Sequence, residues 1–374
     1  MQGEDIDFDL TTKIIEETEP TLFLLTVYND NEKELKQHVD IYQGKNLPEI
    51  VPGKTRINET DFGDVKELIK SQVREQKKQL EVADKAFQRK DYPNTIALYS
   101  TLLEEDNENA LYNYRKGVAL FYAEENKLTA LPFLQKSIKS PTTPANAHYL
   151  IAQSYHLSGV FSNAADHYKT YQTKATAEEL KNIDVPHLIE NCVNGNKLIG
   201  KQYDMQLINT TPVELNEIEK AYPSILVADK LKPKTEFFKS RIDKKKTDRV
   251  LMFETDYSEM LQPSYGVDDN RFDKDIYINL KKGKDFWGVP HNLGSKINTP
   301  YDEDFVYVTP DGKTMYFSSK GHNSIGGYDI FEAQLQENGS FAEPVNLRSP
   351  INSNFDDFGI SITVFKNIWH YIKE

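Results

Sequence analysis

The stretch Phe305-Val306-Tyr307-Val308-Thr309-Pro310-Asp311-Gly312-Lys313-Thr314-Met315-Tyr316-Phe317-Ser318-Ser319 sets two alternating apolar runs on either side of a Pro-Asp-Gly turn. A period of two is the mark of a half-buried strand. Proline presets φ at the first corner, aspartate accepts local backbone hydrogen bonds, and glycine takes the positive φ that closes the turn. The stretch reads as an antiparallel hairpin.

A repeat surrounds it. Asp275-Ile276-Tyr277, Trp287, Pro290, Asn292-Leu293, Ile297-Asn298 and Asp302 are matched by Asp329-Ile330-Phe331, Phe341, Pro344, Asn346-Leu347, Ile351-Asn352 and Asp356, every pair 54 positions apart. Chance gives no reason for so many positions to hold one offset. An earlier, degenerate copy is read from residues 222–227 through 249–253 to 273–277. After Asp356 the pattern begins again and then departs at Val364. Residues 364–374 therefore read as an aberrant tail, and the chain as a truncated or frame-shifted piece with a further segment missing before Met1.

Upstream the period changes. Residues 63–201 place apolar side chains at spacings of three and four, the signature of amphipathic helices. Ala83, Gly117 and Ala152 follow one another at steps of 34 and 35 residues, close to the ~34-residue tetratricopeptide period. Thr95, Ala130 and Ala164 keep the same register, and Tyr99, Leu134 and Tyr168 follow each by four. Small residues there let paired helices approach, with the larger ones wedged between pairs. A helix over residues 177–194 is expected to cap the stack with a polar face. Residues 1–62 hold two strand-like runs, Leu22 to Tyr28 and His38 to Tyr42, in a segment too short to close a core.

Composition excludes several classes. A formal charge of −13 opposes broad nucleic-acid binding, which depends on clustered Lys and Arg. The run Lys244-Lys245-Lys246 lies among Asp243 and Asp248 and reads as a solvated loop. Cys192 is the single cysteine, so neither an intrachain disulfide nor a Cys-rich zinc site can form. The longest apolar runs fall short of the ~18 residues of a membrane span, and nothing at the start reads as an export signal.

The string Thr-Pro-Asp-Gly-Lys-Thr-Met-Tyr-Phe-Ser-Ser, followed by Gly326-Gly327-Tyr328-Asp329-Ile330-Phe331, Glu343-Pro344-Val345-Asn346-Leu347 and Ile351-Asn352-Ser353, resembles the WD40-like Pro-Asp repeat of TolB-like β-propellers. Together with the helical array before it, the order is similar to OmpA-family envelope proteins of Bacteroidetes-type bacteria, including the type IX secretion component with this arrangement. The resemblance covers about residues 75–358. It implies an α+β multidomain chain: a tetratricopeptide-like solenoid (63–201), then an incomplete antiparallel β-propeller of two to three blades (205–363), fewer than the roughly four to eight that close a ring. It also implies a periplasmic, outer-membrane-associated scaffold. Peptidoglycan would be reached only through an OmpA-like domain outside these residues.

No catalytic motif accompanies the repeats. The string Gly321-His322-Asn323-Ser324-Ile325-Gly326 has the wrong spacing for a nucleophile elbow. His148, His156 and His167 share one helical unit without metal-ligand spacing, and no cofactor is expected. The acidic run from Asp268 to Asp275 lacks the sixth-position glycine and distal glutamate of a calcium loop. Asp302, Glu303, Asp304, Asp356 and Asp357 recur with the repeat and read as turn and inter-copy hydrogen-bond groups. Binding is expected instead in the concave groove of the helices, where a protein or peptide would meet Lys77, Asp84, Tyr114, Val118, Phe121, Asn146, Tyr149, Gln153 and His156. The alternative is a propeller-containing hydrolase or glycan-binding subunit whose active part lies elsewhere.

Overall fold

The structure is a computed structural model. It describes residues 21–28, 34–42, 61–198, 200, 204–206, 208, 210, 212, 231–233, 239–245, 251–253, 259–266, 273–283, 286–309, 311–363 and 368–373. The fold is mixed α+β: eight α-helices among the described residues, then antiparallel sheets, none of which closes into a barrel. The chain divides into two compact units, Met1–Leu98 and Tyr99–Glu374.

In the first unit β1 (Thr21–Tyr28) and β2 (Glu34–Tyr42) pair antiparallel, Thr21 opposite Tyr42. Helix α1 (Asp61–Gln88) and the first half of α2 (Tyr92–Glu105) follow. Ala83 and Thr95, both assigned to close-approach positions by the helical register, are fully buried. Threonine is tolerated where alanine is expected because its Oγ1 donates to the Asp91 carbonyl at 2.7 Å, leaving no buried polar group unpaired.

The second unit continues with α3 (Ala110–Ala123), α4 (Leu131–Ser137), α5 (Asn146–Leu157), α6 (Phe161–Lys174), α7 (Ala177–Leu180) and α8 (Val185–Leu198). Asn109 starts α3: its Oδ1 accepts from the backbone of Leu111 and Tyr112, each at 3.1 Å, satisfying two otherwise orphaned N–H groups. Gly117 lets α3 lie directly on α4. A Cβ there would stand 2.7 Å from Cγ of the fully buried Leu134. Gly117→Val is therefore expected to cost about 1–3 kcal/mol through overpacking. The check is a lowered urea midpoint with an unchanged slope.

The expected capping helix is instead two helices, broken before Pro186. Asp184 caps the second by accepting from the His187 N–H at 3.1 Å. Helix α8 buries Asn191, Cys192, Asn194, Gly195 and Leu198 on one side and exposes Glu190, Asn196 and Lys197 on the other.

Beyond the helices lie β3 (Leu231–Pro233), β4 (Leu251–Phe253), β5 (Glu259–Ser264), β6 (Asp275–Leu280), β7 (His291–Asn292), β8 (Glu303–Val308), β9 (Thr314–Ser319), β10 (Asp329–Gln334), β11 (Val345–Asn346), β12 (Asp357–Thr363) and β13 (Ile368–Lys373). The quoted hairpin is β8–β9, which extends through β10 and β11 into a four-stranded antiparallel sheet. One copy earlier, β5–β6–β7 forms a three-stranded sheet. Phe331 pairs with Asn346 as Tyr277 pairs with Asn292.

The 54-residue repeat is also a repeat of polar contacts. Asn298 Oδ1 accepts from the Ile276 N–H and its Nδ2 donates to the Ile276 carbonyl, at 2.8 and 3.0 Å; Asn352 does the same to Ile330, both at 2.8 Å. Asn292 donates to Asp275 at 2.6 Å and Asn346 to Asp329 at 2.7 Å. Asp302 accepts from the Lys274 N–H as Asp356 does from that of Tyr328. These side chains replace the ladder bonds a strand loses at its end, so each is partnered, and Asp275, Asn298, Asp329, Asn346 and Asn352 are buried as well.

Two sequence expectations change here. The second strand of the earlier copy is β5, not residues 249–253: β5 pairs with β6, while β4 pairs with β3. Residues 222–227 lie outside the described residues. Pro263 is tolerated in β5 because that strand is the edge of its sheet. At the other end, where the sequence reads as an aberrant tail, β13 pairs antiparallel with β12, Asp357 opposite Lys373. The equivalent pair one copy earlier is Glu303 opposite Ser319.

Within the second unit the loop of residues 320–327 joins sheets to helices. The Ile325 side chain enters the helical core beside Ala152, Phe161, Tyr168, Val185 and Cys192. Around it the carbonyls of Ser324, Ile325 and Gly326 accept from Asn194, His156 and Asn191 at 3.2, 2.7 and 2.9 Å.

Candidate functional site

The expected groove residues separate into four groups. Lys77 and Asp84 lie on α1, in the first unit. Val118 and Phe121 on α3 are 7% and 6% exposed; they are packing residues, because the helical spacing that points a side chain toward a groove also points it toward the neighbouring helix.

His156 is buried as well, and its ring faces the sheets. Its Nε2 donates to the Ile325 carbonyl, and Nδ1 lies 3.6 Å from Cys192 Sγ. Burial lowers the His156 pKa and pushes the Cys192 thiol up to about 12. A neutral imidazole and an intact thiol at this depth make a structural contact rather than a nucleophile and base.

Tyr114, Asn146, Tyr149 and Gln153 form the fourth group, and they come together on α3 and α5. Each is half-buried. Gln153 Nε2 donates to Tyr149 Oη at 2.9 Å, the i, i+4 reach of one helical turn. Burial raises the Tyr114 pKa, opposed by a hydrogen bond with Asn146. The Tyr149 phenol is raised by burial too, with smaller contributions from Tyr122 and Tyr171. Its ring lies 5.2 Å from that of Tyr171 and 6.0 Å from that of Tyr168.

Three further residues belong to this face. Tyr122 is 52% exposed and acts electrostatically on both Tyr114 and Tyr149. Tyr171 donates to the Glu179 carbonyl at 3.3 Å. The Glu179 carboxylate acts on Tyr114 and Tyr171, held by a capping box in which it accepts from the backbone and hydroxyl of Thr176 at 2.8 and 2.9 Å. The motif Thr176-Ala177-Glu178-Glu179 carries that signal in sequence; its electrostatic effect on Tyr114 comes from the fold.

Among the described residues, the other titratable clusters are taken up by internal hydrogen bonds. Ser324 is buried, its hydroxyl donating to the carbonyls of Ser319 and Gly321 at 2.8 and 2.7 Å. Burial pushes Glu303 up to about 8 and Asp329 to about 7, but each is enclosed by its own donors: Thr299 and Ser319 around Glu303, and Ile325, Gly326 and Asn346 around Asp329. His148 and His167 meet at 3.1 Å between Nδ1 atoms, with Lys174 3.3 Å from His148 Nε2. That lysine donates to His148, which donates to His167, a closed chain of hydrogen bonds. Among the described residues no group of three or more His, Cys, Asp or Glu is placed to hold a metal ion. Most of the acidic run from Asp268 lies outside them. No described helix is long and apolar enough to cross a membrane.

No protein-family model matches this chain, and a search of curated proteins found none significantly similar to it.

Proposed function

We propose that this chain is a non-catalytic protein-interaction scaffold: a tetratricopeptide-like helical array followed by part of a β-propeller whose blades are the 54-residue copies. The observation that carries it is the half-buried tyrosine face formed by Tyr114, Asn146, Tyr149 and Gln153, with Tyr122 beside it. Aromatic side chains with hydrogen-bonding tips are the groups that dominate binding at protein interfaces. The propeller reading is supported by the four-stranded sheet and by polar contacts repeating at one offset in its neighbour. The tetratricopeptide reading is supported by buried small residues at steps of 34 and 35.

The sequence resemblance supports a place in the periplasm at the outer membrane, among envelope proteins, in secretion or in tethering to the cell wall. The test is capture from envelope extract by the full chain and by a Tyr114→Ala/Tyr149→Ala variant, quantified by mass spectrometry. Specific partners are expected to fall to background with the variant. Unchanged recovery would remove the tyrosine face as the binding site.

A further inference from the structure

We propose that His156 and His187 form a proton-sensitive latch between the helices and the loop of residues 320–327: their neutral rings seat the loop, and acid releases it. The two rings are used in the same way. Nε2 of His156 donates to the Ile325 carbonyl at 2.7 Å, and Nε2 of His187 donates to the Lys320 carbonyl at 2.8 Å. A carbonyl only accepts, so the proton of each neutral ring is fixed on Nε2 and Nδ1 is left bare. A second proton has to enter at Nδ1, where neither ring meets a good acceptor. That of His156 lies 3.6 Å from Cys192 Sγ, and a thiol sulfur accepts weakly. That of His187 is buried and has no hydrogen-bond partner among the described residues.

The surroundings of His156 are without an opposing charge. Its ring is 5% exposed. From α6 it meets Phe161 and Tyr168 edge-on, with centroids 5.5 and 6.1 Å away; α8 brings Cys192, and the loop brings Ile325. Burial keeps the Tyr168 phenol and the Cys192 thiol neutral, and Lys169, whose charge reaches that thiol, is a cation. The Asp329 carboxylate is taken up by the Ile325 and Gly326 N–H groups at 3.0 and 3.3 Å. His187 is the weaker half of the latch. Its ring stacks on Tyr301, centroids 3.8 Å apart, and Tyr301 Oη donates to Asp184 at 3.0 Å. Asp184 and Glu190 favour a proton on His187, while the Lys320 ammonium is held by Asp302 at 3.0 Å.

Burial lowers the pKa of both rings, so the released chain takes up protons first. The latch is therefore fully closed above the ordinary histidine value of about 6.5 and weakens as pH falls below it. Asp329, pushed up to about 7, acts in the opposite sense and tightens the fold in acid. The informative quantity is accordingly the difference between the native chain and a variant that keeps Asp329.

Cys192 is the reporter, as the single cysteine, fully buried and in contact with His156. The full chain is labelled with a dipyridyl disulfide, and each rate is divided by that of the urea-unfolded chain at the same pH, which cancels the titration of the thiol itself. Between about pH 7.5 and about 5.5, protection of Cys192 in the native chain is expected to fall about tenfold relative to His156→Gln. Glutamine still offers an N–H to the Ile325 carbonyl but does not titrate. His187→Gln should remove a smaller part of the fall. Circular dichroism at the upper pH verifies both folds. Parallel protection profiles for the native chain and His156→Gln would overturn the latch. Should the variant not fold, NMR of the native chain decides: the His156 ring is expected to stay neutral at about pH 6, and a charged ring there with Cys192 still protected would overturn the latch equally.

Discussion

Ile325→Asp is expected to undock the helices from the sheets of the second unit. The native side chain is 5% exposed and lies among Ala152, Phe161, Tyr168 and Cys192. Removing it costs about 2–5 kcal/mol in transfer and cavity terms, and a carboxylate in the same place has no cation to pair with among those neighbours, which adds a desolvation penalty. The hydrogen bonds from His156, Asn191 and Asn194 depend on the same loop staying seated. Calorimetry should therefore show the single transition of the second unit dividing in two. Limited proteolysis should then release a helical fragment separate from the sheets. Ile325→Val, at about 1 kcal/mol, should do neither. One unshifted transition for Ile325→Asp would mean that the loop does not hold the two parts together.

The second large effect concerns one place occupied in two ways. Lys274 and Tyr328 are equivalent at the 54-residue offset, as are Asp304 and Phe358. In the first copy the position holds an ion pair, Lys274 Nζ to Asp304 Oδ2, with side chains only 12% and 6% exposed. In the next it holds an edge-to-face aromatic pair, Tyr328 and Phe358, with centroids 6.4 Å apart. Lys274→Met strands a buried carboxylate and is expected to cost about 3–5 kcal/mol. The double variant Lys274→Tyr/Asp304→Phe copies the solution of the neighbouring sheet and should recover most of that loss. Urea denaturation of both singles and the double gives the coupling directly. Additive losses would show that the two positions are independent.

The repeat was legible because its residues act on the backbone. Asn298 and Asn352 each satisfy both polar groups of one isoleucine, a task no other side chain does as well, so identity persists at fixed spacing. Strand β5 was hidden for the opposite reason. Ser264 opposes Asp275 as Ser319 opposes Asp329, which puts β5 at a step of 55. A search at constant offset passes over it, and Pro263 discourages a strand reading. Strand β13 was hidden because Phe365-Lys366 stands in the sequence where the copy before has Asp311-Gly312, yet β13 pairs with β12 in the register of the copy before.

On the helices, register found the tyrosine face but could not tell a groove-facing position from one facing a neighbouring element. His156 shows why. A histidine one turn beyond Gln153 has the same spacing whether it meets a ligand or the carbonyl of a residue 169 positions away.

The contacts that close each copy come from the next one: Asp302 serves Lys274, and Asp356 serves Tyr328. Such an architecture has no privileged beginning. Any window of 54 residues contains a full set of donors and acceptors, only permuted, so a gene duplication or deletion of that length joins matching halves wherever its breakpoints fall. Lineages can lengthen or shorten the array by unequal recombination without passing through an unsatisfied intermediate. Loops between strands stay outside that set of contacts, and residues 320–327 are one such loop, which carries Ile325 into the helical core.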